Sequence, residues 1–385
     1  MKVHVQATGR RVAPFDEPIG DTWIHNRPLS AWQDDALAGF ERAETPEAPC
    51  LVVPDTLFAS RAVLERFVAE AAGRTAVLVL AESRFATSTT PIQPGVVACE
   101  GGFRFTEVRF VGEGAEPVDI VVDPDEAEMT IPLPVVFGGP ATIALPRHPV
   151  MTIHHWAHIL WASQAASSMV VRATPWWRAA LRIVWAVIRA RSIDKWRVMA
   201  RLNTIGKGCD IHPTAVIEAS TLGDHVTVGP FARVAFSTVG DGATILSGAE
   251  VEASTIGQGA TVGQRSGVRM CVLYPEAFAS QVQMQACVLG RRVLTTPGSF
   301  SIDLNLDREI RVPLDGKLHS TGTQFLGSAF GHEARVGTGV WLASGRSIPN
   351  GALVVKDPKE VVSRIPETAG DKPLVNRDGT LTPLD

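Results

Sequence analysis

The sequence predicts an α/β domain followed by a solenoid of short stacked strands. Residues 205–268 repeat with a period of 17, and an aliphatic residue recurs about every six positions within each repeat. Upstream, residues 50–81 have the pattern of a strand, a helix and a second strand. Self-similarity at a fixed period is the signature of a solenoid, whose turns bury apolar residues only by stacking on their neighbours. The repeat is therefore the element around which the rest of the chain is organised.

The period is visible when the repeat is written as four rows that begin at Ile205, Leu222, Val239 and Ile256, each followed by glycine. Two further apolar columns and one column of small residues keep the same phase: Ile211, Val228, Ile245 and Val262; Ile217, Val234, Val251 and Val268; and Ala215, Ala232, Ala249 and Ser266. Neither a heptad nor an amphipathic helix has this spacing, whereas three short flat faces per turn do.

This six-residue pattern resembles the hexapeptide repeat of the left-handed parallel β-helix. We therefore predict such a helix over residues 204–364, with an excursion loop at 291–324 before the spacing resumes at Phe330. Solenoids of this class pack a flat face around a threefold axis, so the resemblance also implies a homotrimer. Residues 365–385 are polar and aperiodic, and we expect a flexible tail there.

Composition limits the classes of function. The 385 residues suffice for two or three domains, and the net charge of −4 gives no general attraction to nucleic acid. Five cysteines without metal-ligand spacing indicate reduced thiols. The amino terminus has no apolar segment of the kind found in signal peptides. Together these features predict a cytoplasmic protein without a nucleic-acid partner.

Residues 1–149 are predicted to form the α/β domain. A strand at 50–53 ends at Pro54-Asp55, a helix covers about 60–72, and the next strand covers 75–81. Strand, helix and strand with short connections imply a parallel sheet. Alternating apolar residues between 91 and 146 predict additional strands.

Three segments of this domain are similar to the sugar-1-phosphate nucleotidyltransferases, and the likeness implies a truncated Rossmann-like fold. Residues 7–14 (ATGRRVAP) resemble the phosphate loop of that family, residues 26–29 (NRPL) resemble the segment that opens its next helix, and residues 52–55 (VVPD) resemble its strand-end Asp. The resemblance implies that Asp55 is a Mg²⁺ ligand. It also implies that three arginines bind an anionic sugar or nucleotide-sugar ligand: Arg10, Arg11 and Arg27.

The domain lacks the phosphate-binding lysines that the nucleotidyltransferase family uses. No lysine occurs between Lys2 and Lys195, although phosphoryl-type transfer depends on positioned cations. We therefore predict a degenerate domain that binds substrate or only holds the fold. An active nucleotidyltransferase that requires Mg²⁺ is the alternative.

A tryptophan-rich helical linker is predicted over residues 150–203. Residues 150–171 carry no charge, but His154, His155 and His158 and several serines argue against a membrane-spanning helix, and interdomain packing is favoured over a metal site. Residues 176–202 form a basic amphipathic stretch. Two interpretations stay open: the stretch caps the solenoid, or it lies at a membrane interface and makes the protein peripheral at the inner membrane.

The candidate catalytic and substrate-binding residues lie in the predicted excursion loop. Residues 317–319 (KLH), 325–327 (FLG) and 336–339 (VGTG) resemble the acetyltransferase half of the bifunctional N-acetylglucosamine-1-phosphate uridylyltransferases. The resemblance implies acetyl-CoA or another acyl-CoA as donor and a sugar or nucleotide sugar as acceptor. His319 would be the general base and Lys317 would bind a sugar phosphate. A non-catalytic trimeric scaffold is the second hypothesis.

Overall fold

The computed structural model describes residues 1–135, 139–367 and 373–384. In it, an α/β domain is docked against the side of a parallel β-helix. Its helices are α1 (Leu29–Ala36), α2 (Arg61–Ala71), α3 (Arg84–Thr89), α4 (Trp156–Ala173), α5 (Trp176–Ala190) and α6 (Lys195–Met199), with 3-10 turns at Ile19–Asp21 and Pro358–Glu360.

The amino-terminal domain is built on a seven-stranded sheet. Helix α2 packs one face against it through side chains that follow helical spacing, Val63, Leu64, Phe67 and Ala71. The strands of this domain are Lys2–Gln6, Trp23–Ile24, Arg27–Pro28, Glu41–Arg42, Cys50–Pro54, Leu57–Ala59, Arg74–Ala81, Val96–Cys99, Gly102–Val111, Glu113–Val122, Glu126–Val135, Gly139–Pro146 and Val150–Thr152.

This sheet is mixed rather than parallel throughout, unlike the prediction. Strand Gly102–Val111 lies between Cys50–Pro54 and Arg74–Ala81 and is antiparallel to both. It also forms a hairpin with Val96–Cys99, and that hairpin reverses the chain direction. At Gly102 a Cβ would lie 2.0 Å from the carbonyl oxygen of Leu80, so only glycine allows the close approach of the two strands.

The carboxyl-terminal domain is a β-helix with three parallel sheets. The first face contains Thr204–Ile205, Thr221–Leu222, Thr238–Val239, Thr255–Ile256, Val272–Leu273, Val288–Leu289, Ala329–Phe330 and Ser347–Ile348. The second face contains Asp210–Ile211, Thr227–Val228, Thr244–Ile245, Thr261–Val262, Phe278–Ala279, Leu294–Thr295, Arg335–Val336 and Leu353–Val354. The third contains Val216–Glu218, Arg233–Ala235, Glu250–Glu252, Gly267–Arg269 and Gln283–Gln285, followed by the separate pair Phe300–Ser301 and Trp341–Leu342. Stacked flat sheets of this kind fit the left-handed form that the repeat predicts.

The β-helix continues beyond the point at which the sequence period falters. Thr261 pairs with Phe278, 17 residues on, whereas Gly267 pairs with Gln283, only 16 residues on. One corner residue is therefore missing near residue 281. The spacing of the sequence repeat shifts by one residue there, whereas the strands of the coil continue to stack without interruption. Strands at Leu294–Thr295 and Phe300–Ser301 still belong to the coil, so the excursion is shorter than the predicted 291–324.

The interior of the coil combines aliphatic packing with a ladder of hydrogen bonds. The inward residues of the second, third and fourth repeat rows are buried, among them Ile245 and Val251 at 0% exposure, whereas Ile205 at the open first turn is 49% exposed. At one corner, backbone N–H groups donate to the side-chain oxygen or sulfur one turn earlier: Ser237 to Ser220, Ser254 to Ser237, Cys271 to Ser254, Cys287 to Cys271 and Ser328 to Cys287. The two cysteines thus replace serines in the ladder, and all five cysteines of the chain are free.

The two domains share one apolar core. Buried residues of the α/β sheet and of α4 form a single cluster with Val272, Val288 and Leu326 of the carboxyl-terminal domain. Helix α4 lies against the first face, where it contacts the strands at Val272–Leu273 and Val288–Leu289. The amino-terminal domain is therefore held rigidly beside the coil.

The two ends of the β-helix are covered by short segments of the chain. At the first turn, the backbone N–H of Ala219 donates to Met199 and the Asn203 amide donates to Ile217, so the segment after α5 supplies the cap. Helix α5 lies outside this cap, and Ala186 is its one buried residue. At the far end, Leu374–Arg377 and Thr380–Pro383 form a hairpin within the predicted flexible tail. Among the described residues, no helix is long and apolar enough to cross a membrane.

Candidate functional site

An arm projects from the β-helix between Asp303 and Leu326, and it carries the predicted catalytic residues. The backbone N–H of Leu326 donates to the carbonyl of Asp303, which closes the base of the arm. Within the arm, Arg311–Leu314 and Lys317–Ser320 form an antiparallel hairpin. Ile310 and Val312 are almost fully buried in the core that the two domains share, so the arm is a fixed element.

The tip of the arm is bound to the predicted phosphate loop of the amino-terminal domain. Nη1 of Arg10 donates to both carboxylate oxygens of Asp315, at 2.9 and 3.1 Å, and Nη2 donates to the carbonyl of His154 at 3.4 Å. Asp315 and Gly316 both have positive φ, as a two-residue hairpin turn requires. Arg10 therefore connects the two domains and is already paired within the chain.

A polar groove of about 680 Å³ lies between the arm and the last turns of the coil. Three arginines line it, Arg308, Arg311 and Arg346, and Glu309 is its one acidic lining residue. Glu309 accepts a hydrogen bond from Ser320, and Nη1 of Arg346 donates to the carbonyl of Arg311 at 2.9 Å. Because the lining carries three positive charges and one negative charge, the groove favours an anionic ligand.

His319 and Lys317 lie on the other side of the hairpin from this groove. Leu318 and Ser320 line the groove, and side chains alternate between the two faces of a strand, so the intervening His319 is directed away from it. Both side chains are exposed, and the imidazole has no hydrogen bond within the described part of the chain. A single chain therefore presents the groove and His319 on opposite faces of one rigid arm.

The other predicted anion-binding arginines do not converge with Arg10. Arg11 donates to the carbonyl of Asp16. Arg27 lies 2.8 Å from a carboxylate oxygen of Asp35 and its guanidinium stacks over Trp32, 4.6 Å from the ring centroid. Arg11 and Arg27 are therefore each paired with residues nearby in the sequence, and they do not form a common site with Arg10.

Asp55 occupies the end of strand Cys50–Pro54, as predicted, but its carboxylate is used within the chain. One oxygen accepts from the Thr8 hydroxyl at 2.6 Å and the other from the Thr8 backbone N–H at 3.1 Å. Throughout the described ranges, no three His, Cys, Asp or Glu side chains are grouped so that they could hold a metal ion. The carboxylate of Asp55 fixes the loop that carries Arg10, and its role as a Mg²⁺ ligand stays a prediction.

The histidines of the linker are packing residues, in agreement with the sequence interpretation. Nδ1 of His158 accepts from the backbone N–H groups of His154 and His155, and Nδ1 of His155 caps α4 by accepting from Ala157. Burial lowers the pKa of His154 to about 4 and that of His155 to about 3. All three imidazoles are therefore neutral at physiological pH.

Sequence reasoning missed the groove. The only local signal is the basic run at residues 308–311 (REIR), and Arg346 lies 35 residues from its partner Arg311. The sequence also gave no indication of the buried contact between the domains, in which Glu17 accepts from Tyr274 and from Arg291.

Comparison with known proteins finds no family model that matches this chain and no match among curated proteins. Fold and local chemistry are therefore the basis of the functional proposal.

Proposed function

We propose that the protein is a hexapeptide-type transferase that moves an acyl group from acyl-CoA to a sugar or nucleotide-sugar acceptor, with His319 as general base. The observation that carries this proposal is the arm, which holds an exposed imidazole on a rigid support and has an arginine-lined groove on its opposite face. A rigid support matters because a general base must be held within hydrogen-bond reach of the proton that it removes.

In the proposed reaction, the imidazole of His319 takes a proton from the acceptor amine or hydroxyl as that group attacks the thioester carbonyl. The tetrahedral intermediate then expels the thiol of coenzyme A, which receives the proton from the imidazolium. The acceptor gains the acyl group, and no oxidant or reductant is needed. An imidazole can both accept and return a proton, so one side chain can serve both transfers.

The position of His319 implies that the reacting site lies between subunits. The groove binds the anionic part of one substrate, and His319 is exposed on the opposite face of the hairpin, where in this proposal a neighbouring coil of a homotrimer completes the cleft. Lys317, on the same face as His319, supplies a positive charge for a sugar phosphate. The amino-terminal domain, which resembles a nucleotidyltransferase, acts in this proposal as a scaffold that anchors the arm through Arg10.

The test is an acyl-transfer assay across a panel of sugar phosphates and nucleotide sugars, read by mass spectrometry of the acceptor. His319→Ala should lower kcat by about 10²-fold or more, as expected for the loss of a general base. Arg346→Gln should raise KM for the anionic substrate with a smaller effect on kcat. His212→Asn, which changes an exposed histidine of the coil, is the matched control and should leave both constants unchanged.

Mixing the His319→Ala and Arg346→Gln chains tests the location of the site. If each active site takes the base from one subunit and the groove from its neighbour, mixed trimers recover part of the activity. Full turnover by His319→Ala would remove this residue as the base.

A non-catalytic trimeric scaffold is the second candidate function. One observation favours it: among the described residues, no side chain donates to or accepts from the His319 imidazole, whereas catalytic bases are commonly oriented by a third group. Absence of turnover in the parent protein across the whole acceptor panel, with the trimer intact by light scattering, would support the scaffold.

A further inference from the structure

Helix α5 presents an apolar face that the rest of the described chain leaves uncovered. The exposed residues recur at helical spacing, and each is about half or more exposed: Trp177 at 47%, Leu181 at 60%, Val184 at 55%, Trp185 at 61% and Ile188 at 59%. Other exposed apolar side chains are Trp176 at the start of α5, Val171 before it, and Ile193 and Trp196 after it. A contiguous apolar surface of this kind marks an interaction site.

After Trp176, the rest of α5 consists of arginines, alanines and two more apolar residues, Ile183 and Val187. Arg178, Arg182 and Arg189 share one flank of the apolar face because they are four and seven residues apart. Ala186 is the one buried residue of α5, and α6 contacts this helix, whereas the five apolar side chains named above stay exposed. The apolar face is therefore directed outward by the packing of α5 itself.

The charge of this region identifies the kind of surface that α5 fits. No Asp or Glu occurs between Glu128 and Asp194, and Arg191, Lys195 and Arg197 add to the positive charge near the end of α5. The whole chain has a net charge of −4, so the basic character is local. Anionic lipid headgroups complement such a flank, and tryptophans prefer the interface between headgroups and acyl chains.

We propose that α5 is a membrane-docking helix that lies in the plane of an anionic bilayer, with its apolar face in the lipid and its arginines at the headgroups. Its 15 residues span about 22 Å along the surface, enough to insert two turns of apolar side chains without crossing the bilayer. A second copy of the chain is a poorer occupant, because pairing two α5 helices would bring six arginines together without a carboxylate on either helix.

The proposal is tested by co-sedimentation of the full-length protein with vesicles of phosphatidylcholine alone or with added phosphatidylglycerol. The parent should bind the anionic vesicles and not the zwitterionic ones, with a blue shift of its tryptophan fluorescence. The double variant Leu181→Glu, Trp185→Glu should lose at least about tenfold in partitioning, because two carboxylates then replace inserted apolar groups.

A matched double variant, Val282→Glu with Val355→Glu, introduces the same charge at exposed apolar positions of the coil and should bind as the parent does. Replacing Arg178, Arg182 and Arg189 with Gln should weaken binding to anionic vesicles by roughly fivefold for each arginine. Thermal unfolding should be unchanged in all variants, because the replaced apolar side chains are exposed.

Three results would overturn the proposal. They are absence of binding to either vesicle, equal binding by the parent and the Leu181→Glu, Trp185→Glu variant, and a fall in the oligomeric mass of that variant without any vesicle binding by the parent. The last result would assign the apolar face to a second copy of the chain.

Discussion

The phenolic oxygen of Tyr274, on the β-helix, lies 3.0 Å from a carboxylate oxygen of Glu17, in the amino-terminal domain. The same phenolic oxygen accepts the backbone N–H of Trp23 at 3.0 Å, and Arg291 donates to the second oxygen of Glu17 at 3.2 Å. Tyr274 is fully buried, and burial together with the Glu17 carboxylate raises its pKa well above the usual value. A buried carboxylate is thus satisfied only when the two domains are in contact.

Tyr274→Phe should destabilise the protein by about 1–3 kcal/mol, because it leaves the Trp23 N–H and the Glu17 carboxylate each without one hydrogen bond. Chemical denaturation measures this loss. The double-mutant cycle with Glu17→Gln should give a coupling free energy of about 1–2 kcal/mol. Additive effects of the two substitutions would contradict a direct interaction, and the control pair Tyr274→Phe with His212→Asn should be additive.

Acid should destabilise the fold through its buried histidines. His155 has a pKa of about 3 in the folded protein and about 6.5 when unfolded, so the unfolded chain binds the extra proton between these pH values. The free energy of unfolding therefore falls as pH decreases from about 6.5 towards 3, by about 1.4 kcal/mol per pH unit for each such histidine. His154, with a pKa of about 4, adds to the loss down to that pH.

His155→Asn separates this effect from others, because Asn also caps helices but does not titrate in this range. The slope of unfolding free energy against pH should become shallower by about one proton, or 1.4 kcal/mol per pH unit, between about pH 6 and 4. Thr244→Ala, which removes no titratable group, is the control and should leave the slope unchanged. Equal slopes for the parent and His155→Asn would refute the assignment.

Loss of the Arg10–Asp315 contact should loosen the arm. Arg10→Gln removes the two hydrogen bonds to Asp315 and the one to His154, so the hairpin should open more often at its tip. Trypsin should then cleave after Lys317 several-fold faster than in the parent, because local opening controls proteolysis. Arg11→Gln, whose partner is the local carbonyl of Asp16, is the matched control and should be cleaved at the parental rate.

Shortening a side chain to alanine should affect stability differently on the two faces of one strand of the coil. Ile245 is fully buried inside the β-helix, and Ile245→Ala should cost about 2–5 kcal/mol by removing methylene contacts and leaving a cavity. Its neighbour Thr244 is directed outward and is partly exposed, and Thr244→Ala should change stability by less than about 1 kcal/mol. Similar losses at both positions would argue against the predicted alternation.

Several elements followed from local sequence. The strand at residues 50–53, the helix after Ser60 and the strand ending at Ala81 were predicted close to their observed bounds, because each has the apolar spacing of its own secondary structure. The amino-terminal sheet was misjudged because Gly102–Val111 inserts between strands that precede it in the chain. The 17-residue period is interrupted near residue 281 because one corner residue is missing there, which shifts the sequence pattern without changing the stacking of the strands.

The sequence by itself determined the β-helix. Each aliphatic residue of the repeat packs on its counterpart one turn away, so the period of the sequence equals the number of residues in one turn. Tertiary structure alone decided which way His319 faces, that Arg308, Arg311 and Arg346 share one groove, and that Arg10 is paired with Asp315. Arg10 and Asp315 are 305 residues apart, and Glu17 and Tyr274 are 257 apart. No short-range pattern encodes such pairs, because they meet only after two separately folded domains have buried a common core.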